Sequence, residues 1–250
     1  MGFWPVVEDM IENSDIIVLV GDARMPELSL HRELIRKVHK HGKELVIAFT
    51  KIDLVNKERL NMIKKENKSA FIVSGTKNIG IKDLRKHLQI LAKRNKIDEP
   101  KVGVVGYPNI GKSAIINAIA RRARALVADM PGTTRGVQWI KSGNLRILDS
   151  PGVIPYEDKN SKLVLLGSKH PERIRDPVKS AIEIIQMFKS SNLKSIENLY
   201  NVKIAPLTDN YEIIIEIGRK RGYLKKGGEV DEMKSAITIV KDWQRGKLMI

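Results

Sequence analysis

The 250-residue chain carries 45 Lys and Arg against 29 Asp and Glu, a net charge of +16, and is long enough to bury a full-sized core beside a smaller one. It has no cysteine, which excludes a disulfide framework and a thiolate metal site, and no window reaches the roughly eighteen apolar residues of a membrane span. Met1 to Val7 is apolar but runs into Glu8, Asp9 and Glu12 without a basic lead, so it does not read as a signal peptide, and a soluble, cytoplasmic protein is expected.

Along the chain, the apolar run Ile16 to Val20 reads as a buried strand and leads into Asp22-Ala23-Arg24-Met25-Pro26. A helical pattern covers Leu28 to His41. A second strand, Leu45 to Phe49, opens onto Thr50-Lys51-Ile52-Asp53, a form of the guanine-specificity pattern NKxD with Thr in the Asn place. A carboxylate at Asp53 can accept two hydrogen bonds from the guanine ring edge, which adenine cannot supply, while the Lys51 stem lies over the base plane. Alone, this tetrapeptide is equally the solvated end of a strand. After a helix over Lys57 to Glu66, the strand Phe71 to Val73 ends in Ser74-Gly75-Thr76, where backbone N–H groups would meet the guanine carbonyl. Two strand ends at matching spacing outweigh one. A helix over Ile81 to Asn95 and a polar connector, Lys96 to Lys101, bring the chain to a strand at Val102 to Val105.

Gly106-Tyr107-Pro108-Asn109-Ile110-Gly111-Lys112-Ser113 then matches the phosphate-binding pattern GxxxxGKS, with the required strand before it and a helix, Ser113 to Ala120, after it. Gly106 and Gly111 let backbone N–H groups converge on a β-phosphate at a helix N-terminus. Lys112 reaches the β- and γ-phosphates, and the Ser113 hydroxyl can ligate magnesium. Asn109 has two readings of equal weight: a turn residue that tolerates the left-handed conformation, or a ligand of a potassium ion that spreads charge over the phosphates as an arginine finger does. In Pro131-Gly132-Thr133-Thr134-Arg135 a threonine hydroxyl can close over the metal, Thr134 being the first choice and Thr133 the second. Without the other motifs this stretch would be an ordinary Pro-Gly turn. The strand Leu145 to Leu148 runs into Asp149-Ser150-Pro151-Gly152, a DxxG element in which Asp149 would hold magnesium through water and the Gly152 N–H would face the γ-phosphate.

The motif order is therefore base motif, base-edge motif, P-loop, switch threonine, DxxG, a circular permutation of the usual GTPase order. With Asp22 to Pro26 matching a DARxP element and the tail Gly218 to Gly228 followed by the apolar-periodic segment Met233 to Trp243, nearly the whole chain resembles the YlqF/RbgA-like circularly permuted GTPases. That resemblance implies an α/β fold: a GTPase domain with a doubly wound, mostly parallel sheet over residues 1–160, and a small helical RNA- or ribosome-binding domain over 161–250. It further implies GTP and GDP as ligands, magnesium at Ser113, Thr134 and Asp149, and phosphate chemistry carried by Lys112, Thr134, Gly152 and Asn109. Nucleotide contacts are expected from Thr50, Lys51 and Asp53, from Ser74, Gly75 and Thr76, from Asn109, Ile110, Gly111, Lys112 and Ser113, and from Gly152. Potassium stimulation, late assembly of the large ribosomal subunit, contact with ribosomal RNA and a monomeric chain that engages neither DNA nor membrane complete the expectation. Three departures bear on it. Thr50 in place of Asn is expected to loosen the tie between the base motif and the P-loop, and Met1 to Pro5 holds no counterpart of the family's histidine-containing lead-in. Val153 stands where Ras-like enzymes place a water-orienting glutamine, which implies slow intrinsic hydrolysis.

Positive charge collects at Arg32 to Lys43, Arg85 to Lys96, Arg121 to Arg124 and Arg219 to Lys226. Any one run reads first as a solvated helix face; together they point to a polyanion, because neutralising phosphates releases counterions. Aromatics at 5% disfavour a base-stacking platform and favour structured RNA read through backbone and shape. Helical periodicity continues through Pro177 to Lys189, Leu193 to Leu199 and Tyr211 to Arg221. The permutation makes the DxxG switch a covalent neighbour of this helical part, so a γ-phosphate that orders Gly152 and Val153 would set the chain beyond Lys159. The alternatives are an RNA-binding protein that uses GTP only as a structural ligand, and a GTPase of another RNA-processing pathway.

Overall fold

The computed structural model describes residues 3–121, 139–149 and 160–250. The chain divides into two compact units, Met1–Glu157 and Asp158–Ile250.

The first unit is built on a six-stranded sheet among the described residues, with order β3-β2-β1-β4-β6-β5. The strands are β1 (Ile16–Asp22), β2 (Glu44–Thr50), β3 (Phe71–Ile72), β4 (Lys101–Val105), β5 (Trp139–Ser142) and β6 (Leu145–Asp149). All neighbours pair in parallel except β5, which turns back antiparallel onto β6. β1 is buried along its whole length, as a strand covered on both faces must be, and this explains its unbroken apolar run. Its register sets Val18 beside Val46 on one side and Val104 on the other. The carboxyl ends of β2, β1 and β4 therefore lie side by side, the place where ligands sit in a doubly wound sheet.

The helices of this unit are α1 (Phe3–Asn13), α2 (Pro26–Ser29), α3 (Arg32–Lys40), α4 (Lys57–Glu66), α5 (Ile81–Arg94) and α6 (Lys112–Arg121). Two differ from the sequence expectation. α1 extends through what reads as an apolar lead-in, because Val7, Met10 and Ile11 recur at helical spacing and are buried against Ile17, Leu19, Leu34, Val38, Val105 and Leu148. The continuous helix over Leu28 to His41 breaks at Leu30 and His31, both extended, and His31 Nδ1 accepts the Leu34 N–H at 3.3 Å to start α3. Leu30 spends its side chain on the same core cluster.

The second unit contains α7 (Asn160–Leu165), a short 3-10 turn at Pro171–Arg173, α8 (Pro177–Lys189), α9 (Leu193–Tyr200), α10 (Asn210–Lys220) and α11 (Glu232–Gln244). Its core is the seam of α8 and α11, where Phe188 meets Trp243 edge to face at 5.8 Å and the Trp243 indole N–H donates to the Leu165 carbonyl at 2.8 Å. Asp176, Asp209 and Asp231 cap the starts of α8, α10 and α11.

Candidate functional site

The loop from Gly106 to Gly111 joins β4 to α6. A side chain at Gly106 would sit 2.6 Å from the Val20 carbonyl, and at Gly111, where φ is +117°, 3.0 Å from Thr50 Oγ1. These glycines are thus required by close approach and by backbone conformation. Asn109 is left-handed at φ 57°, the conformation its turn reading calls for. Ile110 is fully buried and pins the loop to the core. The buried Lys112 ammonium donates to the carbonyls of Gly106 (3.0 Å) and Tyr107 (2.9 Å), so it is held at the mouth of its own loop. Ser113 follows in the first turn of α6.

The base motif is tied to this loop. Thr50, at the end of β2 and buried, places Oγ1 2.6 Å from the Ile110 carbonyl and 3.1 Å from that of Gly21. One hydroxyl proton serves one acceptor at a time, and the shorter contact is the one to the P-loop. The expected loosening by Thr50 is therefore corrected: the threonine hydroxyl, close to the backbone, makes the tie itself. Thr50→Val keeps the shape and strands a buried carbonyl, so it should cost about 1–3 kcal/mol in denaturant unfolding; Thr50→Asn should restore most of it.

Lys51 adopts a left-handed conformation, and Asp53 lies in the 3-10 turn Ile52–Leu54 that follows. Asp53 Oδ1 is buried and has no hydrogen-bond partner among the described residues. The base-edge loop arrives from β3. Ser74 and Ile79 exchange backbone hydrogen bonds at 3.0 Å, and Ser74 Oγ bonds the Thr76 hydroxyl and the Lys77 N–H, closing a tight loop. Gly75 sits so close to the first turn of α6 that a Cβ would lie 2.5 Å from the Ala114 backbone. The TKID turn, the SGT loop and the P-loop, with Lys112 and Ser113, are thus assembled at one place.

Asp22 and Arg24 hold the centre of this assembly, which the sequence marks only as part of a DARxP element. Both side chains are fully buried. Arg24 Nη2 and Nε meet the two Asp22 oxygens at 2.8 and 3.0 Å, and Lys51 Nζ reaches Asp22 Oδ2 at 2.9 Å. The Ser29 hydroxyl accepts the Asp22 N–H, and Arg59 donates to the Arg24 carbonyl at 3.0 Å. Burial by itself would raise the Asp22 pKa and is the largest single influence. The adjacent Arg24 and Lys51 cations, with their hydrogen bonds, together outweigh it and bring the carboxyl down to about 2. Burial pulls the Lys51 ammonium below its usual range, against the pull of Asp22 in the other direction. The pair's sign is set by Asp22, because its second partner Arg24 is protonated at any working pH. An Asp-x-Arg at the end of a buried strand is the local signal; its engagement of Lys51 is legible only in three dimensions.

Asp149 closes β6 in register with Val104 of β4, and its side chain lies outside what is described. Pro131, Thr133, Thr134, Gly152 and Val153 lie outside the described residues. Among the described residues no helix is long and apolar enough to cross a membrane.

Two family models match the chain: a 50S ribosome-binding GTPase over residues 101–216 and an RsgA GTPase over residues 6–157. An uncharacterized GTP-binding protein of Methanocaldococcus jannaschii is 37% identical over 245 residues, which is 97% of this chain and 65% of that protein. Nuclear/nucleolar GTPase 2 of Arabidopsis thaliana is 33% identical over 98% of this chain and 43% of its own length. The chain therefore spans from under half to just under two thirds of these relatives. GDP-bound YlqF shares the fold with a TM-score of 0.60 and 25% identity, over 96% of this chain and 94% of that one. GNP-bound YlqF from T. maritima aligns equally well, with a TM-score of 0.60 at 24% identity over 98% and 94% of the two chains. Base motif before P-loop along the chain, one sheet that brings them together, and a family match over more than half the sequence agree, and the chain belongs to the YlqF/RbgA-like circularly permuted GTPases.

Proposed function

We propose that the chain binds GTP and hydrolyses it to GDP, acting as a switch in assembly of the large ribosomal subunit through ribosomal RNA. The observation that carries the nucleotide reading is Asp53 Oδ1, buried without a protein partner beside a P-loop tethered by Thr50. A buried carboxylate oxygen left unsatisfied is costly, and the ring-edge N–H groups of guanine are the donors it lacks. In this reading Lys51 covers the base, the Ser74 to Thr76 backbone meets the guanine carbonyl, and the N–H groups of Ile110, Gly111, Lys112 and Ser113 cradle the phosphates. Lys112 exchanges its loop carbonyls for phosphate oxygens.

Ser113, Asp149 and Thr134 offer hydroxyl and carboxylate oxygens, the hard donors magnesium takes. When bound, that ion neutralises charge developing between the β- and γ-phosphates. Gly152 is assigned to the γ-phosphate. Val153 has no group with which to orient water, so intrinsic turnover is slow in this proposal and rises with the ribosomal particle and with potassium held near Asn109. Nucleotide chemistry belongs to residues 1–160 and the principal RNA contact to 161–250. The ribosomal part is supported by the 50S ribosome-binding description of the matching family and by the charge of +16. The reading takes the chain as a cytoplasmic monomer without DNA or membrane partners.

Replacing Asp53 with Asn sets an amide donor against the guanine donors, a mismatch worth about 1–3 kcal/mol. GTP affinity should fall roughly tenfold to a hundredfold while xanthosine triphosphate gains relative to it, as read by competition against a fluorescent nucleotide. An unchanged preference between the two triphosphates would sink the base assignment.

A further inference from the structure

The run Arg85 to Lys96 takes no part in the nucleotide site, yet it lies on a helix of the GTPase unit with a defined outer face. At about 100° per residue, Lys82, Lys86, Gln89 and Lys93 of α5 fall within about 60° of one another. All three lysines are exposed, and no ion pair engages them among the described residues. By contrast, Lys37, Arg94, Lys141 and Arg146 of the same unit are each matched to a glutamate. Ile90 is 51% exposed beside this stripe. Lys86, Gln89, Ile90, Lys93 and Asn144 line an open cavity of about 430 Å³, without a carboxylate in its walls.

The floor of the cavity is built. Gln89 Nε2 donates to Asn144 Oδ1 at 3.4 Å, and Asn144 Nδ2 donates to the Asp98 carbonyl at 3.3 Å, which holds the β5–β6 turn against α5. The Arg85 guanidinium lies against the same turn, 3.0 Å from where a Cβ on Gly143 would stand, with its Nε buried and unpartnered. Three unpaired ammonium groups along about 16 Å of helix, two amides and one apolar side chain thus share one face.

We propose that this α5 face, with the β5–β6 turn, is a second RNA-docking surface that lies on the GTPase unit itself and takes A-form duplex RNA. The proposal rests on the ribosomal RNA reading above and adds a contact to it. The lysines meet phosphates as point charges. Gln89 and Asn144 meet the 2′-hydroxyls displayed in the wide, shallow RNA minor groove, and Ile90 lies on the sugar edge. Because a DNA duplex lacks the 2′-hydroxyl, the amides favour RNA over DNA.

Two variants of the full chain test it: Lys82→Ser/Lys86→Ser/Lys93→Ser, and Gln89→Ala/Asn144→Ala. Binding of a 20-base-pair RNA duplex is followed by fluorescence anisotropy across a salt series, with a DNA duplex of the same length in parallel. The triple variant should bind RNA at least tenfold more weakly and lower the slope of log K against log salt by about 2 to 3, close to 0.9 for each phosphate released. The amide variant should keep the slope and lose the RNA-over-DNA preference, and GTP affinity should stay unchanged in both. Wild-type binding with an unchanged slope in the triple variant overturns this face and leaves the ribosomal reading standing. A wild-type chain without salt-dependent RNA binding overturns both. Equal binding of RNA and DNA by the wild type overturns the assignment to RNA.

Discussion

Replacing Lys112 with alanine should lower GTP turnover by about two to three orders of magnitude, the size expected when one preorganised charge is removed from a phosphoryl-transfer site. The ammonium that now bridges the Gly106 and Tyr107 carbonyls sits on the loop that would wrap the β- and γ-phosphates, and no neighbouring cation of the described loop replaces it there. Nucleotide affinity should fall as well, because the same charge offsets ground-state phosphate charge. Multiple-turnover phosphate release, with and without ribosomal subunits, is the measurement. Wild-type rates in the variant would refute the catalytic reading of the P-loop. A wild-type protein without turnover under either condition would favour GTP as a structural ligand only.

Asp22→Asn should cost about 3–5 kcal/mol of unfolding free energy at neutral pH, because the substitution leaves the buried Arg24 guanidinium and the Lys51 ammonium without their anion. The pH dependence gives the sign. The Asp22 carboxyl is held at about 2, below its ordinary 3.8, so its ionisation stabilises the fold at pH values above about 4 and that contribution is lost as pH falls from 4 through 2. The linked share is roughly 2.5 kcal/mol. Stability of the two proteins, measured by denaturant titration, should differ most near neutrality and converge below pH 3. A gap independent of pH would assign the loss to shape rather than charge. Through Lys51 the same change should weaken guanine-nucleotide binding, so nucleotide affinity at neutral pH checks the link from Asp22 to the base motif.

The sequence alone was enough for the strand–motif–helix units. β1, β2 and β4 are apolar runs that end in residues unsuited to a strand, the Gly and Lys types of the P-loop have few other uses in that order, and both kinds of signal lie within ten neighbouring residues. The permuted order is itself a property of the sequence. What lies outside those windows needed the fold. α1 is hidden because its periodicity begins in a short apolar stretch and becomes helical only when Met10 and Ile11 are counted with Val7. The break between α2 and α3 depends on Leu30 reaching a core that no local pattern displays. The contacts that make the site join residues far apart in the chain: Thr50 to Ile110, Lys51 to Asp22, and Gly75 to the backbone of Ala114. Each exists because parallel pairing sets β2, β1 and β4 side by side with their carboxyl ends level. Local composition determines which segments are strands and which turns can hold a phosphate; the order of strands in the sheet, a long-range property set by which apolar faces bury one another, decides that a threonine suffices to join base motif to P-loop and that a buried aspartate anchors the lysine between them.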